Sequence, residues 1–401
     1  MSKKPSRRKS PATRSVRAGL ESDAHHGSVV PPIYLSSNFA FEAHRKPRKY
    51  DYTRSGNPTR DQLADALSDL EGGVGAVITC TGLAAISLIL ATLPTGARVV
   101  APYDCYGGTY RMLAAMQAKG ALRVEFIDQS NAQQLQAALL EPTALVWIET
   151  PSNPLLRVVD IRAVAAAAHA VGALAVVDNT FLSPVWQQPI ALGADLVMHS
   201  TTKYLNGHSD VVGGAVIAAT EELQRNLAWW ANAIGVTGAP FDSFLTLRGI
   251  RSLHARMRVH AENSAKIVEY LSQHAGIEQV YYPGLKNSPG HDIAARQQSC
   301  FGAMLSFDLV GGEPSVAAFL DGLECFSLAE SLGGVESLIA HPVSMSHAGM
   351  DETARLRAGI GPGLLRMSVG IEDAADLLAD LQAGLERVAI AQPTPHQRRH
   401  A

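Results

Sequence analysis

The chain has 401 residues, 47% of them hydrophobic and 18% charged, a balance that predicts a soluble globular protein of roughly two or three domain-sized units. No apolar run approaches the ~20 residues needed to span a bilayer. Seven cations near the N-terminus (Lys3, Lys4, Arg7, Arg8, Lys9, Arg14 and Arg17) mask an acidic body, since without them the formal net charge falls from −3 to −10; such a body argues against nucleic-acid binding, which needs a basic face. The four cysteines, Cys80, Cys105, Cys300 and Cys325, form no CxxC pair. Their scatter predicts a reducing, cytoplasmic setting and no metal site.

Residues 1–60 are rich in Pro, Gly, Ser and basic side chains and weak in helical pattern. They read as an N-terminal arm, its first ~12 residues disordered, with no apolar stretch of the secretory kind. Residues 61–255 then alternate short apolar runs with alanine- and leucine-rich stretches. Ala97–Ala101, Arg123–Ile127, Ala144–Glu149, Ala173–Asp178 and Asp195–His199 read as buried strands. Leu83–Leu93, Tyr110–Lys119, Ala132–Leu140 and Ile161–Val171 have helix composition and length. This alternation predicts a mostly parallel sheet covered by helices, with ligands gathering at the carboxyl ends of the strands. A long helix over Ser252–Gln273 leads into a smaller α/β domain, residues 256–401, with a strand at Ala303–Asp308 and a last helix at Ala374–Val388. The tail Gln392–Ala401 is expected to be disordered.

Four features point to chemistry. The segment CTGLAA (80–85) opens a helix with small residues, leaving free N–H groups that favour a phosphate. In DCYGGTYR (104–111), Tyr106 follows a strand and is flanked by glycine, so its ring can stack on a flat ligand. Asp178 closes the apolar strand ALAVVD; a carboxylate there caps a turn or pairs with a cationic ring nitrogen. In HSTTKYLNGHSDVVGG (199–214), Lys203 follows three hydroxyl residues directly after a strand. Most lysines are surface lysines, but Ser200 and Thr202 can donate to a phosphate and Lys203 can form an imine with a carbonyl cofactor. Burial and nearby cations lower a lysine pKa and free the amine for that step.

These residues, with YTRSGNPTR (52–60), ETPSNPLLRVVDI (149–161), VVDNTFLSP (176–184), HSTTKYLNGHSD (199–210) and AESLGGVESL (329–338), resemble the Cys/Met-metabolism family of pyridoxal-phosphate enzymes from about Thr13 to Val388. The resemblance implies an α/β, aspartate-aminotransferase-like fold (fold type I), with a mostly parallel sheet in the large domain and a smaller C-terminal α/β domain. It implies pyridoxal 5′-phosphate on Lys203, with its ring stacked by Tyr106, its ring nitrogen on Asp178 and its ring oxygen near Asn153. Gly82 and Leu83, through backbone N–H groups, and Ser200 and Thr202 would hold the phosphate. Tyr52 and Arg54 would reach the phosphate of a neighbouring subunit's cofactor, giving the arm a role in a homotetramer built as a dimer of dimers.

The resemblance also implies small amino-acid substrates. Ser331 and Arg366 would hold the α-carboxylate, Arg366 in the two-pronged geometry of a guanidinium. Glu330 resembles the acidic residue of members that replace or eliminate at Cγ. Arg111 matches a position for a distal carboxylate, and Asp51 and Asn232 match further substrate positions. The implied reaction is a gamma-replacement in trans-sulfuration and methionine biosynthesis, joining an O-acylhomoserine, first O-succinylhomoserine, to cysteine to give cystathionine. Gamma-elimination of cystathionine and sulfhydrylation of the O-acylhomoserine are the alternatives. Ser55 departs from the second arginine of the gamma-replacing pattern and is shared with gamma-eliminating members.

Overall fold

A computed structural model describes residues 9–348, 353, 355 and 358–391; the expected disorder of the tail 392–401 and of residues 1–8 falls outside the described residues. Two sheets organise the chain. The first contains β1 (Gly75–Thr79), β2 (Ala97–Pro102), β3 (Leu122–Ile127), β4 (Leu145–Glu149), β5 (Leu174–Asp178), β6 (Leu196–Ser200) and β7 (Gly214–Ala218), in the order β1-β7-β6-β5-β4-β2-β3. From β6 to β3 all neighbours are parallel, while β7 runs antiparallel to both β6 and β1. The five expected strands lie within two residues of their expected bounds. β1 and β7 are additional, and being antiparallel they need no βαβ crossover to announce them.

Side chains of the parallel strands alternate between two buried faces, which is why these segments read as continuous apolar runs. Trp147, Val176, Met198 and Val216 pack with Ile86 and Leu88 of α3 (Gly82–Ala91) on one face. Ile148, Val177, Val197 and Ile217 pack on the other face. There they join a core that includes Leu63 and Leu67 of α2 (Pro58–Glu71) and Val164 and Ala168 of α6 (Ile161–Ala170).

The arm is less bare than expected. Helix α1 (Pro11–Val16) starts inside the segment expected to be disordered, with Ser10 as its N-cap and proline in its first turn. Arg14 docks it on Asp69 of α2 at 2.5 Å. Helix α2 itself begins at Pro58, because Asn57 caps it and accepts from Thr59 and Arg60 backbone N–H groups.

Helix α10 (Leu253–Gln273) carries the chain to the second sheet, made of β8 (Ile277–Tyr281), β9 (Met304–Leu309), β10 (Ser327–Leu328), β11 (Leu338–Ala340) and β12 (Leu364–Ser368). Its order is β10-β11-β12-β9-β8, antiparallel except for β10 with β11. The closing helix α13 (Ala374–Ala391) packs on α10. On β12, Leu365 and Met367 enter the core, so the period of two turns Arg366 to the opposite face, toward the first sheet. No described helix is long and apolar enough to cross a membrane.

Candidate active site

A cavity of about 490 Å³ lies beyond the carboxyl ends of β4, β5 and β6 and is closed from the other side by residues 330–332, Ser346 and Arg366. That volume suits a drug-sized ligand. Most of the residues singled out from the sequence meet there: Gly82, Leu83, Tyr106, Asn153, Asp178, Ser200, Thr202, Lys203, Glu330, Ser331 and Arg366 all line it.

Lys203 follows β6 by three residues, and its Nζ donates to Ser331 Oγ at 2.7 Å. Burial, reinforced by the Arg366 cation and opposed by Glu330, pushes its pKa down from 10.5 to about 8. Ser331 has φ of 86°, a region unfavourable for any residue with a side chain. This places a strained residue at the lysine it contacts.

At the neighbouring strand ends stand two carboxylates in register, Asp178 of β5 and Glu149 of β4. Asp178 accepts from the Thr180 N–H at 3.0 Å; burial raises its pKa, while Thr180 and His199 pull it down. Glu149 is buried and accepts the Tyr106 N–H at 2.8 Å. Burial and the nearby Asp178 charge push its carboxyl well up. Of the two, Asp178 is therefore the anion suited to a cationic ring nitrogen.

Helix α3 aims its N-terminus at the cavity. Thr81 caps it by accepting the Ala84 N–H at 2.8 Å, which leaves the Gly82 and Leu83 N–H groups for a ligand. Gly82 is needed for the close approach of β6: a Cβ there would lie 3.0 Å from Ser200 Cβ and 3.1 Å from its hydroxyl. Thr202 lines the same end, and its Oγ1 accepts the Gly213 N–H at 3.0 Å. Tyr106 precedes α4 (Gly107–Ala118) and folds its half-exposed ring back over the helix start. Gly108 makes room, since a Cβ there would meet Tyr106 Cε1 at 2.5 Å.

Arg366 is the strongest sign of an anionic ligand. It is buried, donating to Asn153 Oδ1 at 3.0 Å and to the Ser331 carbonyl at 2.9 Å. Its Nε has no partner among the described residues, and no ion pair holds it there. Burial lowers its pKa from 12.5 to about 10. A buried cation without a contacting carboxylate is costly until a ligand supplies one.

The remaining residues lie elsewhere in this chain. Tyr52, Arg54, Asp51 and Asn232 do not line the cavity. Arg54 sits over the Tyr52 ring at 5.7 Å and donates to the Asn232 carbonyl at 3.0 Å; Asp51 accepts from Ser55 at 2.8 Å. Arg111 is exposed and outside the cavity lining. Conversely, the cavity holds Glu149, Thr180 and Ser346, which the sequence reading passed over. Glu149 ends an apolar strand as Asp178 does, so the same signal marks it; nothing in the sequence marks Ser346.

Pyridoxal phosphate fits these residues: free helix N–H groups and hydroxyls at one end, an anion at a strand end, a ring above it and an amine of lowered pKa. The family model of Cys/Met metabolism PLP-dependent enzymes matches residues 12–386. A cystathionine gamma-synthase of Escherichia coli (strain K12) is 56% identical over 374 residues, covering 93% of this chain and 97% of that protein. A cystathionine gamma-lyase of Bacillus subtilis (strain 168) is 43% identical over 376 residues, 94% of this chain and 99% of that one. Among solved structures, cystathionine gamma synthase from Xanthomonas oryzae pv. oryzae, in complex with aminoacrylate and cysteine, superposes with a TM-score of 0.95 at 59% identity, covering 96% of this chain and all of that one. The chain belongs to the Cys/Met-metabolism family of pyridoxal-phosphate-dependent enzymes.

Proposed function

We propose that this chain forms L-cystathionine by gamma-replacement, joining an O-acyl-L-homoserine, first O-succinyl-L-homoserine, to L-cysteine. The observation that carries it is one cavity holding both the Lys203 amine at a pKa of about 8 and the buried Arg366 guanidinium with an unspent donor. The most similar relatives reported above, at 56% and 59% identity, are named for this synthesis. Bound pyridoxal phosphate supplies an electron sink that acidifies the Cα–H of the substrate. Arg366 holds the α-carboxylate, and Ser331 keeps the Lys203 amine beside the reacting carbons. Lys203 removes the Cα and then a Cβ proton; the Cγ–O bond breaks to release the acyl group as its carboxylate. The cysteine thiolate then forms the Cγ–S bond, and Lys203 returns the protons. Asp178 would pair with the ring nitrogen of the bound cofactor, Asn153 with the ring oxygen, and Gly82, Leu83, Ser200 and Thr202 with the phosphate. Tyr106 would stack on the ring, and its phenol would help deprotonate an incoming amine.

Self-association into a homotetramer belongs to the same reading. Val29, Val30, Leu35 and Phe41 of the arm are exposed, more apolar surface than a lone arm needs. Tyr52 and Arg54 do not line their own cavity and suit the phosphate end of a neighbour's, while Asp51, Asn232 and Arg111 suit the distal end of the substrate. Four free cysteines suit a cytoplasmic location, and trans-sulfuration in methionine biosynthesis is the corresponding role. Gamma-elimination is the second reading, favoured by Ser55 and by the relatives named gamma-lyases. The test compares initial rates on one preparation: O-succinylhomoserine with cysteine, and cystathionine alone. Faster formation than consumption of cystathionine supports the proposal, and the reverse overturns it.

A further inference from the structure

Asp178 and Met198 are register partners at the ends of β5 and β6, and both line the cavity. Strand alternation turns the next residue of each, Asn179 and His199, to the far face of the sheet, where α2 packs. There both meet one carboxylate. Glu71, the last residue of α2, accepts from Asn179 Nδ2 through Oε1 at 2.8 Å, and the same oxygen lies 2.5 Å from His199 Nε2. Asn179 Nδ2 also donates to the Gln187 carbonyl at 2.9 Å. Gln187 Nε2 in turn donates to Asn179 Oδ1 and to the Thr150 carbonyl just past β4, each at 3.0 Å. Glu71, Asn179, Gln187 and His199 are all buried.

Such a cluster costs free energy to desolvate, and apolar residues of similar volume would fill the far face without that cost. Glu71 Oε2, buried with no partner among the described residues, adds to it. What the cluster supplies is position, because directed bonds fix strand ends that apolar contact alone lets slide. On the cavity side of these ends, the Thr180 N–H donates to Asp178 Oδ1 and Thr180 Oγ1 accepts the Ser200 N–H, each at 3.0 Å. Asp178 and Ser200 are thus tied to the backbone that Glu71 holds from behind. Resting on the cofactor roles given above to Asp178 and Ser200, we propose that Glu71 is a positioning residue for bound pyridoxal phosphate. With His199 and Asn179 it locks the ends of β5 and β6, fixing Asp178 against the ring nitrogen and Ser200 against the phosphate.

The test uses the holoenzyme at saturating pyridoxal phosphate, with Glu71→Leu, Glu71→Gln and Leu67→Ala. Leu67→Ala, one turn earlier on α2, opens a cavity in the core and controls for lost stability. A cofactor misplaced by on the order of 1 Å predicts that Glu71→Leu lowers kcat about 10- to 100-fold. KM for O-succinylhomoserine stays near the parent's, because Arg366 holds the α-carboxylate from the second sheet. The visible circular dichroism of the bound cofactor, read without turnover, falls as well. Glu71→Gln keeps Oε1 as the acceptor for Asn179, and a neutral His199 can present its Nε2–H to that oxygen, so both readouts stay close to the parent's. Leu67→Ala lowers the thermal midpoint and moves neither. Equal effects in Glu71→Leu and Leu67→Ala, or Glu71→Gln as impaired as Glu71→Leu, overturn the inference. Asp178→Asn separates it from the site reading. Dichroism that changes in Asp178→Asn but not in Glu71→Leu overturns the role of Glu71 alone, whereas the parent's dichroism in Asp178→Asn overturns the role of Asp178 and the inference with it.

Discussion

Replacing Arg366 by methionine will raise the protonation midpoint of Lys203. Burial is the larger force holding this amine at about 8 and the Arg366 charge the second, with Glu330 opposing both. An amine of midpoint 8 is about one-tenth free at pH 7, whereas one of 10.5 is free to about 0.03%, so the site makes roughly 300-fold more nucleophile available. Both cations bond to Ser331, Lys203 to its hydroxyl and Arg366 to its carbonyl, which puts them on the order of 6 Å apart. At an effective dielectric of ~20 their repulsion is about 2–3 kcal/mol, equivalent to at most about 2 pH units. The assay is competitive labelling of the cofactor-free protein with a small acylating reagent from pH 6 to 11, read at Lys203 by mass spectrometry. Reactivity in the parent protein should rise with pH and level off near 8; in Arg366→Met the break should move up by about 1–2 pH units, and in Arg366→Lys it should stay. A parent break at 10 or above, or an unmoved break in Arg366→Met, refutes the account.

Further predictions concern the cofactor end. Asp178→Asn removes the anion for the ring nitrogen and should weaken cofactor binding about 10- to 100-fold in equilibrium absorbance titrations. Gly108→Ala puts a Cβ 2.5 Å from the present position of Tyr106 Cε1, so the ring must swing aside. Cofactor affinity should fall while the thermal midpoint, read by calorimetry, barely moves, because that ring is half exposed. Glu149→Gln keeps an acceptor for the Tyr106 N–H, so its urea midpoint should stay close to the parent's. Glu149→Ala leaves that N–H unmatched and should cost about 1–3 kcal/mol of stability in urea unfolding.

The parallel strands were legible because each is a short apolar run buried on both faces, and Asp178 because an ionisable group at such a strand end is conspicuous. Lys203 was legible from its hydroxyl neighbours, which lie within a few residues of it in the chain. Contacts between distant segments were not. The Asn153–Arg366 bond spans 213 residues, and Arg366 enters the site only because β12 alternates faces. Glu149 carried the same signal as Asp178, but its role rests on a backbone N–H of Tyr106 that only the folded chain brings near. Strands β1 and β7 begin with glycine and pair antiparallel, so they lacked the strand–helix rhythm that revealed the others. Helix α1 was missed because it is only six residues long and carries no apolar stripe, and its docking by Arg14 on Asp69 of α2 joins segments distant in the chain.

The central claim is that Lys203 and its cavity join two amino acids rather than split one. Supplying O-succinylhomoserine with uniformly carbon-13-labelled cysteine tests it directly, with products followed by mass spectrometry. The account predicts cystathionine carrying label in its cysteine half alone, with succinate released in equal amount. Accumulation of 2-oxobutyrate and ammonia while the label stays in free cysteine would contradict it.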